Sequence, residues 1–330
     1  MPKTQKELAD LAGVSIVTVY NAIHRPEKVR PETREQIFRL MKQYDYLPDA
    51  VARSMVRGKT NIVGIIVPTI EVRYYARAIG LMEAELNQAG YRVLISQHRD
   101  APEKEARELS LMREYRVDGI ILRNCGTNVD DQEVARLAQA EVPFVLIDGS
   151  SPGFENHLVC EDDRYGSRKI VEMLISRGRR RIACLGFHRS GDFRNSNRYE
   201  GYCEALTAAG LPVDPAITAQ CRHEYTGGKH AVEEVIARSA GDPVDAVFCF
   251  NDDVALNVIS HLASRGIAPQ EKILVTGYSG YAGVGLMPFR LPTMVSPLPE
   301  ICHAAVESLL GQIDGSATPR QQVFRGTLRQ

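Results

Sequence analysis

Apolar runs alternate with amphipathic stretches along most of the chain, and this alternation predicts strands followed by helices. Five apolar runs come first, NIVGIIVP, YRVLIS, VDGIILR, VPFVLID and HLVCED, and four more follow, RRIACLGF, ITAQC, DAVFCFND and KILVTGY. The amphipathic segments lie near 74–90, 102–116, 130–141, 163–178, 196–210, 226–239 and 252–266. Strands that alternate with helices form right-handed βαβ units and parallel sheets. The two series predict an α/β core of two similar lobes, with a ligand cleft where the carboxyl ends of their strands face each other.

The first 50 residues have a different, purely helical pattern. Thr4 and Glu7 have the spacing of a capping box, which predicts a short helix over about 5–12 that ends at Gly13. Ser15 is placed to cap a second helix, so only three or four residues separate the two. This spacing predicts a helix-turn-helix unit.

A third helix closes the small core of this N-terminal head. Pro31 suits the first position of a helix, and apolar residues recur after it with helical spacing at Ile37, Leu40, Met41 and Tyr44. On the second helix, Val19 faces inward. The outward-facing positions predicted to enter a groove are Ile16, Val17, Tyr20 and Asn21.

Length and charge support a head that differs from the body. A chain of 330 residues suggests two or three domains, because single cores stop growing at roughly 250–300 residues. Residues 1–60 contain eleven Lys/Arg and seven Asp/Glu, a net charge of +4, which leaves −5 for the remainder. A basic head on an acidic body favours a polyanionic partner for the head, although a mixed solvated surface produces the same excess.

Neither a membrane span nor a secreted protein is expected. No apolar run approaches the roughly 18 residues that a membrane span needs, and the opening MPKTQKELAD lacks a signal peptide's hydrophobic stretch. We therefore expect a cytoplasmic protein. The seven cysteines are scattered and never spaced as C-x-x-C, which favours reduced core thiols over disulfides or metal ligands. We expect no cofactor and no metal.

The head resembles that of the LacI (lactose repressor)/GalR family of bacterial regulators, and the similarity continues to about residue 325. The motifs that carry it are Ala12-Gly13-Val14-Ser15, Thr18-Val19, Thr33-Arg34, Tyr46-Leu47-Pro48 and Ala52-Arg53-Ser54-Met55. The resemblance implies a helix-turn-helix head over 1–47, a hinge helix and linker over 48–59, and an effector-binding, dimerising core over 60–330 of the periplasmic-binding-protein type. The N-lobe is expected at about 60–160 and 293–322, and the C-lobe at about 161–292 and 323–330.

The resemblance also implies contacts to a palindromic operator. Asparagine pairs with adenine in the major groove, and apolar side chains contact thymine methyls. Polar and basic residues at the head's edge are placed to hold phosphates. Met55 occupies the family's minor-groove wedge position, with packing on a dimer partner as the alternative. The full set of expected DNA contacts is Thr4, Ser15, Ile16, Val17, Thr18, Tyr20, Asn21, His24, Lys28, Thr33, Ala52, Arg53 and Met55.

Position along the strands predicts most of the effector site. Residues just past the carboxyl end of a parallel strand are placed to meet a ligand: Tyr74, Tyr75, Arg123, Asp148, Asn251, Asp252 and Ser279. The resemblance adds Arg198, which precedes a Gly-aromatic pair, and Tyr225, at the place of a stacking aromatic. Asp252 as a helix cap, and purely structural roles for Asp148, Arg123 and Arg198, stay open.

Two departures from the family favour an anionic effector. The usual V-G-F-D-D becomes Thr276-Gly277-Tyr278-Ser279-Gly280, which removes a carboxylate. Arg123 stands where sugar-binding members often have a neutral residue, and guanidinium pairs with carboxylate or phosphate. The stretch GYSGYAGVGLMPFRLPT also resembles gluconate-utilisation members of the family. We therefore expect a sugar acid, with a phosphorylated sugar next.

The predicted function is repression of carbohydrate or sugar-acid catabolic genes by a homodimer, with no catalysis. Two other classes share the α/β fold. A solute-binding receptor needs a signal peptide and has no use for the head. A nicotinamide-dependent enzyme needs a G-x-G-x-x-G turn after the first strand, which is absent from the sequence, and Gly283-Val284-Gly285 falls too late.

Overall fold

The computed structural model describes residues 4–46, 59–125, 132–149, 152–186, 196–221, 227–239, 241–280 and 290–330. The chain divides into two compact units, Met1–Thr60 and Asn61–Gln330, and each is described by itself. The first contains three α-helices within its described residues, and the second contains two sheets flanked by helices.

Local hydrogen bonds define the helix-turn-helix of the head. Helix α1 spans Gln5–Ala12, and at its start the Glu7 amide donates to the Thr4 hydroxyl while the Thr4 amide donates to the Glu7 carboxylate. Gly13 ends the helix at a φ of +66°, a left-handed conformation that costs glycine little. Helix α2, Ile16–His24, begins where the Ser15 hydroxyl accepts from the Thr18 amide at 3.0 Å. The predicted capping box, turn and second cap are confirmed.

The third helix completes a small apolar core. Helix α3 spans Pro31–Gln43, with proline at its first position, where the missing amide costs no helical hydrogen bond. The buried side chains of the head are Leu8, Ala9, Ala12, Val19, Ala22 and Ile37, and Leu40 and Met41 pack partly buried beside them. Apolar burial along all three helices therefore stabilises the head.

The first sheet of the core has six parallel strands in the order β11-β5-β4-β3-β1-β2. Its strands are β1 Ile62–Val67, β2 Arg92–Gln97, β3 Gly119–Leu122, β4 Phe144–Ile147, β5 Leu158–Glu161 and β11 Gln322–Phe324. The helices of this lobe are α4 Arg73–Gln88, α5 Pro102–Glu114, α6 Gln132–Gln139 and α11 Leu298–Asp314. Apolar clusters fill both faces of the sheet, as expected for parallel strands between helices.

The second sheet has the order β12-β10-β9-β8-β6-β7. Its strands are β6 Ile182–Gly186, β7 Thr218–Gln220, β8 Ala246–Cys249, β9 Leu274–Ser279, β10 Thr293–Val295 and β12 Thr327–Arg329. The helices are α7 Asp163–Ser176, α8 Asn197–Ala208, α9 Gly227–Arg238 and α10 Asp252–Ser264. The sheets are not wholly parallel as predicted, because the edge strand β12 runs antiparallel to β10, with Leu328 opposite Met294.

The chain crosses between the lobes three times, after Glu161, after Val295 and after Phe324. The last two crossings lie later than the predicted boundaries near 292 and 322. β10 pairs with β9 and so belongs to the second sheet, while β11 pairs with β5 and belongs to the first. Because β10 and β11 are only three residues long, their apolar residues do not indicate which sheet each strand joins. Among the described residues, the structure has no helix with the length and apolar character of a membrane span.

Candidate functional site

Helix α2 presents an unusual apolar surface to solvent. The side chains of Ile16 and Val17 are 45% and 65% exposed, while Val19 on the opposite face is fully buried. Tyr20 and Asn21, on the next turn, are half-buried. The spacing of these four residues places them on one face of the helix, where Ile16 and Val17 are the most exposed. An exposed helix face of this kind can read base edges in a major groove.

The predicted phosphate contacts surround that face. Thr4 and Ser15 are exposed at the two helix N-termini, and the hydroxyls of Ser15 and Thr18 lie 2.9 Å apart. Exposed Lys28 ends the 3-10 turn Pro26–Lys28, and half-buried Thr33 lies in the first turn of α3. His24 ends α2, and its side chain lies outside the description. The predicted hinge contacts Ala52, Arg53 and Met55 lie outside the described residues.

Arg198 lies in a group of charged side chains that both lobes contribute. It lies in the first turn of α8, where its Nε is 3.0 Å from the Asp163 carboxylate and its Nη1 donates to the Phe250 carbonyl at 2.5 Å. The guanidinium carbon stacks 3.9 Å from the ring centre of Tyr278. Burial disfavours the charge, but Asp163, Tyr278 and Glu161 outweigh it and raise the pKa of Arg198. Arg198 is therefore a fixed positive charge, already paired with an acid of its own lobe.

Asp148 stands at the end of β4 and joins this group from the first lobe. Tyr74, in the first turn of α4, donates a short hydrogen bond to its carboxylate. Burial raises the pKa of Asp148, opposed by the Tyr74 hydrogen bond and by Arg123 and Arg198. Its backbone has a φ of +48°, which non-glycine residues rarely adopt and which is common at functional sites.

Arg123 follows β3 and differs from Arg198 in its partners. Its Nη1 donates to the neighbouring Asn124 carbonyl. Its Nε is buried and has no hydrogen-bond partner among the residues that the structure describes. A buried donor without a partner is costly, so this atom is a candidate for a ligand contact.

Three acidic or aromatic residues of the site were absent from the prediction: Glu161, Asp163 and Tyr278. The Tyr278 hydroxyl donates to Glu161 at 3.1 Å. Burial, followed by the charge of Asp163, raises the pKa of Glu161 to about 7, although Arg198 opposes the shift. Glu161 ends β5, and Asp163 opens α7. Both acids lie at or just past the carboxyl end of a parallel strand, so the reasoning that predicted Asp148 and Arg123 would also have found them.

Three predicted site residues have contacts within the fold of their own lobes. Tyr75 is buried in the core of the first lobe. Asn251 caps α10, where its Oδ1 accepts from the Val254 amide at 2.7 Å, so the capping role considered for Asp252 belongs to its neighbour. Asp252 is 1% exposed and accepts from the Thr293 hydroxyl at 2.6 Å, which ties α10 to β10.

Two predicted site residues remain, Ser279 and Tyr225. Ser279 ends β9 with a φ of +95° and is half-buried. Tyr225 lies outside the described residues. The structure thus brings together Tyr74, Arg123, Asp148 and Arg198. With Glu161 and Asp163, they supply two cations and three carboxyl groups that can bind a ligand rich in hydroxyls.

Comparison with known families matches both units of the chain. Residues 4–49 match the family described as "Bacterial regulatory proteins, lacI family". Residues 60–316 match "Periplasmic binding proteins and sugar binding domain of LacI family".

Individual relatives match over nearly the whole chain. The HTH-type transcriptional regulator DegA of Bacillus subtilis (strain 168) is 27% identical over 305 residues, which cover 91% of this chain and 88% of DegA. A transcriptional regulator CelR–cellobiose complex is 26% identical, with a TM-score of 0.73, and covers 99% of this chain and 98% of its own. The lac repressor dimer bound to operator and the anti-inducer ONPF has a TM-score of 0.86 at 22% identity, covering 100% of this chain and 98% of its own.

Proposed function

Since this chain belongs to the LacI family of bacterial regulatory proteins, we propose that it represses transcription as a homodimer bound to a palindromic operator. A small-molecule effector bound between the lobes of the core controls this binding. The cleft then serves for binding rather than catalysis. Because bacterial chromosomal DNA lies in the cytoplasm, we place the protein there.

Operator recognition is assigned to the exposed face of α2. Asn21 pairs with adenine, and Ile16 and Val17 contact thymine methyls, so the operator is rich in A·T pairs where α2 enters the groove. Thr4, Ser15, Thr33 and nearby basic residues hold phosphates, which fixes the position of the head without reading sequence. Two heads on a two-fold dimer require half-sites about one helical turn apart.

The hinge residues act at the centre of this operator. Met55 inserts its apolar side chain into the minor groove, while Ala52 and Arg53 contact the adjacent groove and backbone.

The effector is proposed to be a sugar acid, and the buried Nε of Arg123 is the observation that carries this choice. Arg198 is already paired with Asp163, so Arg123 is the better partner for an added anion. Asp148 and Glu161 accept hydrogen bonds from hydroxyl groups at the other end of the ligand, and Tyr74 lies over its apolar face. The similarity to a cellobiose-bound regulator supports a carbohydrate. A phosphorylated sugar has the same anionic character and is the second candidate.

Calorimetry with matched ligands tests the charge argument. We expect gluconate to bind more tightly than sorbitol, which has the same hydroxyl pattern without the carboxylate. Replacing a charged partner with a neutral one costs about 1.5–3 kcal/mol, or roughly tenfold to a hundredfold in affinity. Sugar phosphates form the third arm of the panel.

Two variants assign the contact to one arginine. Arg123→Gln should remove the preference for the acid, while Arg136→Gln, on the exposed surface of α6 in the same lobe, should leave it unchanged. Tighter binding of the neutral ligands would overturn the anionic effector while leaving the family assignment intact. If both variants lose the same amount of affinity for the acid, Arg123 does not contact the effector.

A further inference from the structure

A buried cluster of three metal-ligand side chains lies beside the segment that carries Arg123. His98 follows β2, Glu105 lies on α5, and Cys125 follows β3. Their side chains belong to residues that are 0%, 5% and 6% exposed. One donor atom from each of the three lies within 4.8 Å of the others. The positions are 7 and 20 residues apart, so sequence spacing gives no sign of the cluster.

The distances suit a small tetrahedral cation. His98 Nδ1 lies 3.2 Å from the Cys125 sulfur. Zinc bonds of about 2.0 Å to nitrogen and 2.3 Å to sulfur require a nitrogen–sulfur separation of about 3.5 Å. The sulfur would therefore move by a few tenths of an ångström. Glu105 is already fixed next to the thiol, because its Oε2 accepts from the Cys125 amide at 2.5 Å.

The histidine is oriented as metal-ligating histidines are. Its Nε2 lies 2.7 Å from the Arg123 carbonyl, a bond that places the proton on Nε2 and the lone pair on Nδ1. Ligating histidines typically donate their second ring N–H to a carbonyl or carboxylate in this way. The Asp100 amide also donates to Nδ1 at 3.0 Å. A metal at Nδ1 would take the lone pair that accepts from this amide in the structure.

We propose that His98, Glu105 and Cys125 bind a divalent zinc-class cation, with a water molecule in the fourth position. A thiolate, a carboxylate and a neutral imidazole supply a charge of −2 that balances the cation, and the sulfur and nitrogen donors favour zinc over magnesium or calcium. On binding, the thiol proton leaves to solvent and the sulfur–metal bond replaces it, with no change in oxidation state.

A reactive cysteine does not account for the cluster. Burial and the neighbouring Glu105 raise the pKa of the Cys125 thiol, which disfavours the free thiolate that nucleophilic chemistry requires. A metal supplies the positive charge that stabilises the thiolate in this buried place.

The site has a consequence for the cleft. Cys125 and the Arg123 carbonyl belong to the same three-residue segment, so a bound cation holds the end of β3 from which Arg123 reaches the effector. Metal and effector should therefore change each other's affinity by the same factor.

Cobalt titration of the full chain, after removal of metal by a chelator, tests the proposal. We expect one equivalent of Co²⁺ to bind with a thiolate-to-cobalt absorption band and with tetrahedral d–d bands, and Zn²⁺ to displace it. Cys125→Ser should abolish the charge-transfer band and weaken binding at least tenfold. Cys203→Ser, which removes a half-buried thiol on α8 of the other lobe, should change neither.

Far-ultraviolet circular dichroism of each variant identifies any loss of fold. Should Cys125→Ser fail to fold, His98→Gln and Glu105→Gln replace it, and each should weaken Co²⁺ binding at least tenfold. Absence of a thiolate band in the wild-type chain, or equal Co²⁺ affinity in the folded ligand variants and Cys203→Ser, would overturn the site.

Discussion

At the scale of single residues, the cleft depends on paired charges. Arg198 contacts Asp163, the Phe250 carbonyl and the Tyr278 ring, and so connects α7, α8 and β9. Removing one member of such a group leaves the other charges without a partner, which costs more than the pair contributes. Arg198 therefore has a structural role beside any contact to the effector.

Arg198→Ala separates these two roles. We expect the free energy of unfolding of the core to fall by about 1–3 kcal/mol in urea titrations, because Asp163 and Glu161 lose their counter-charge. Operator affinity without ligand should be kept, since the head has its own core, while the response to effector is lost. If adding ligand still changes the operator affinity of this variant, the proposed role of Arg198 in effector binding is wrong.

Glu161 should make the stability of the core depend on pH. The pKa of Glu161 is raised to about 7 in the folded protein, against 4.5 ordinarily, so the folded state holds the proton more tightly. The stabilisation is complete below pH 4.5 and is lost as the pH rises through 7, by roughly 3 kcal/mol at most. Burial also raises the pKa of Asp148, so some dependence of the same sign remains without Glu161.

Urea unfolding between pH 4.5 and 8 measures this effect. Glu161→Gln keeps an acceptor for Tyr278 and should flatten the decline in unfolding free energy, whereas Glu234→Gln, on the exposed surface of α9, should not. An unchanged slope in Glu161→Gln would assign the pH dependence to other groups.

Sequence position predicted part of the cleft. Tyr74, Arg123 and Asp148 come together because parallel strands of the first sheet end at one edge. Arg198, which the family resemblance supplied, approaches Asp148 from the second lobe. The same rule does not distinguish Tyr74 from the adjacent Tyr75, since a rotation of about 100° per residue on α4 directs one to the cleft and the other to the core. For Asp252, the deciding partner Thr293 is 41 residues away, which no local pattern indicates.

At the scale of elements, helices α7 and α8 pack unusually closely at Gly201. A Cβ atom at this position would lie 2.2 Å from the Arg164 carbonyl oxygen and 2.4 Å from the Ser167 hydroxyl. The contact holds the start of α8, and with it Arg198, against the start of α7, which carries Asp163. Glycine is therefore required for the geometry of the Arg198–Asp163 pair.

Gly201→Ala tests this packing, with Gly80→Ala as its matched control. Both positions lie inside helices, but a Cβ at Gly80 meets nothing within 4 Å. We expect Gly201→Ala to lower the free energy of unfolding by about 1–3 kcal/mol through overpacking. Gly80→Ala should raise it by about 0.5–1 kcal/mol. Thermal unfolding of the two variants measures the difference, and stabilisation by both would contradict close contact at Gly201.

Elements set by local interactions were predicted well, and those set by distant pairing were not. The head's helices follow from the capping box at Thr4 and Glu7, the Ser15 cap and Pro31, all of which act within one turn. The sheet membership of β10 and β11 depends on partners far along the chain. Three-residue strands carry too few apolar positions to specify those partners.

At the scale of the whole molecule, the proposed control of DNA binding requires two copies of the chain. One head contacts few base pairs, so two heads related by a two-fold axis must bind together. Under the proposed function, effector and operator change each other's affinity by the same factor, because coupling between two binding sites is reciprocal.

The chain should form a dimer in solution. We expect light scattering at micromolar concentration to give twice the mass of the 36.6 kDa chain without DNA, and that mass plus one duplex with operator DNA. A stable tetramer, or a monomer that binds operator with full affinity, would contradict the two-fold arrangement.

Selection of bound sequences from a pool of random DNA duplexes tests the central claim, sequence-specific operator binding, most directly. The wild-type chain should enrich a palindrome whose half-sites lie about one helical turn apart. Asn21→Ala should lose roughly 1–3 kcal/mol on that site and relax the preference at one base pair in each half-site. Enrichment of no sequence above the input pool, or of sites without two-fold symmetry, would contradict the account.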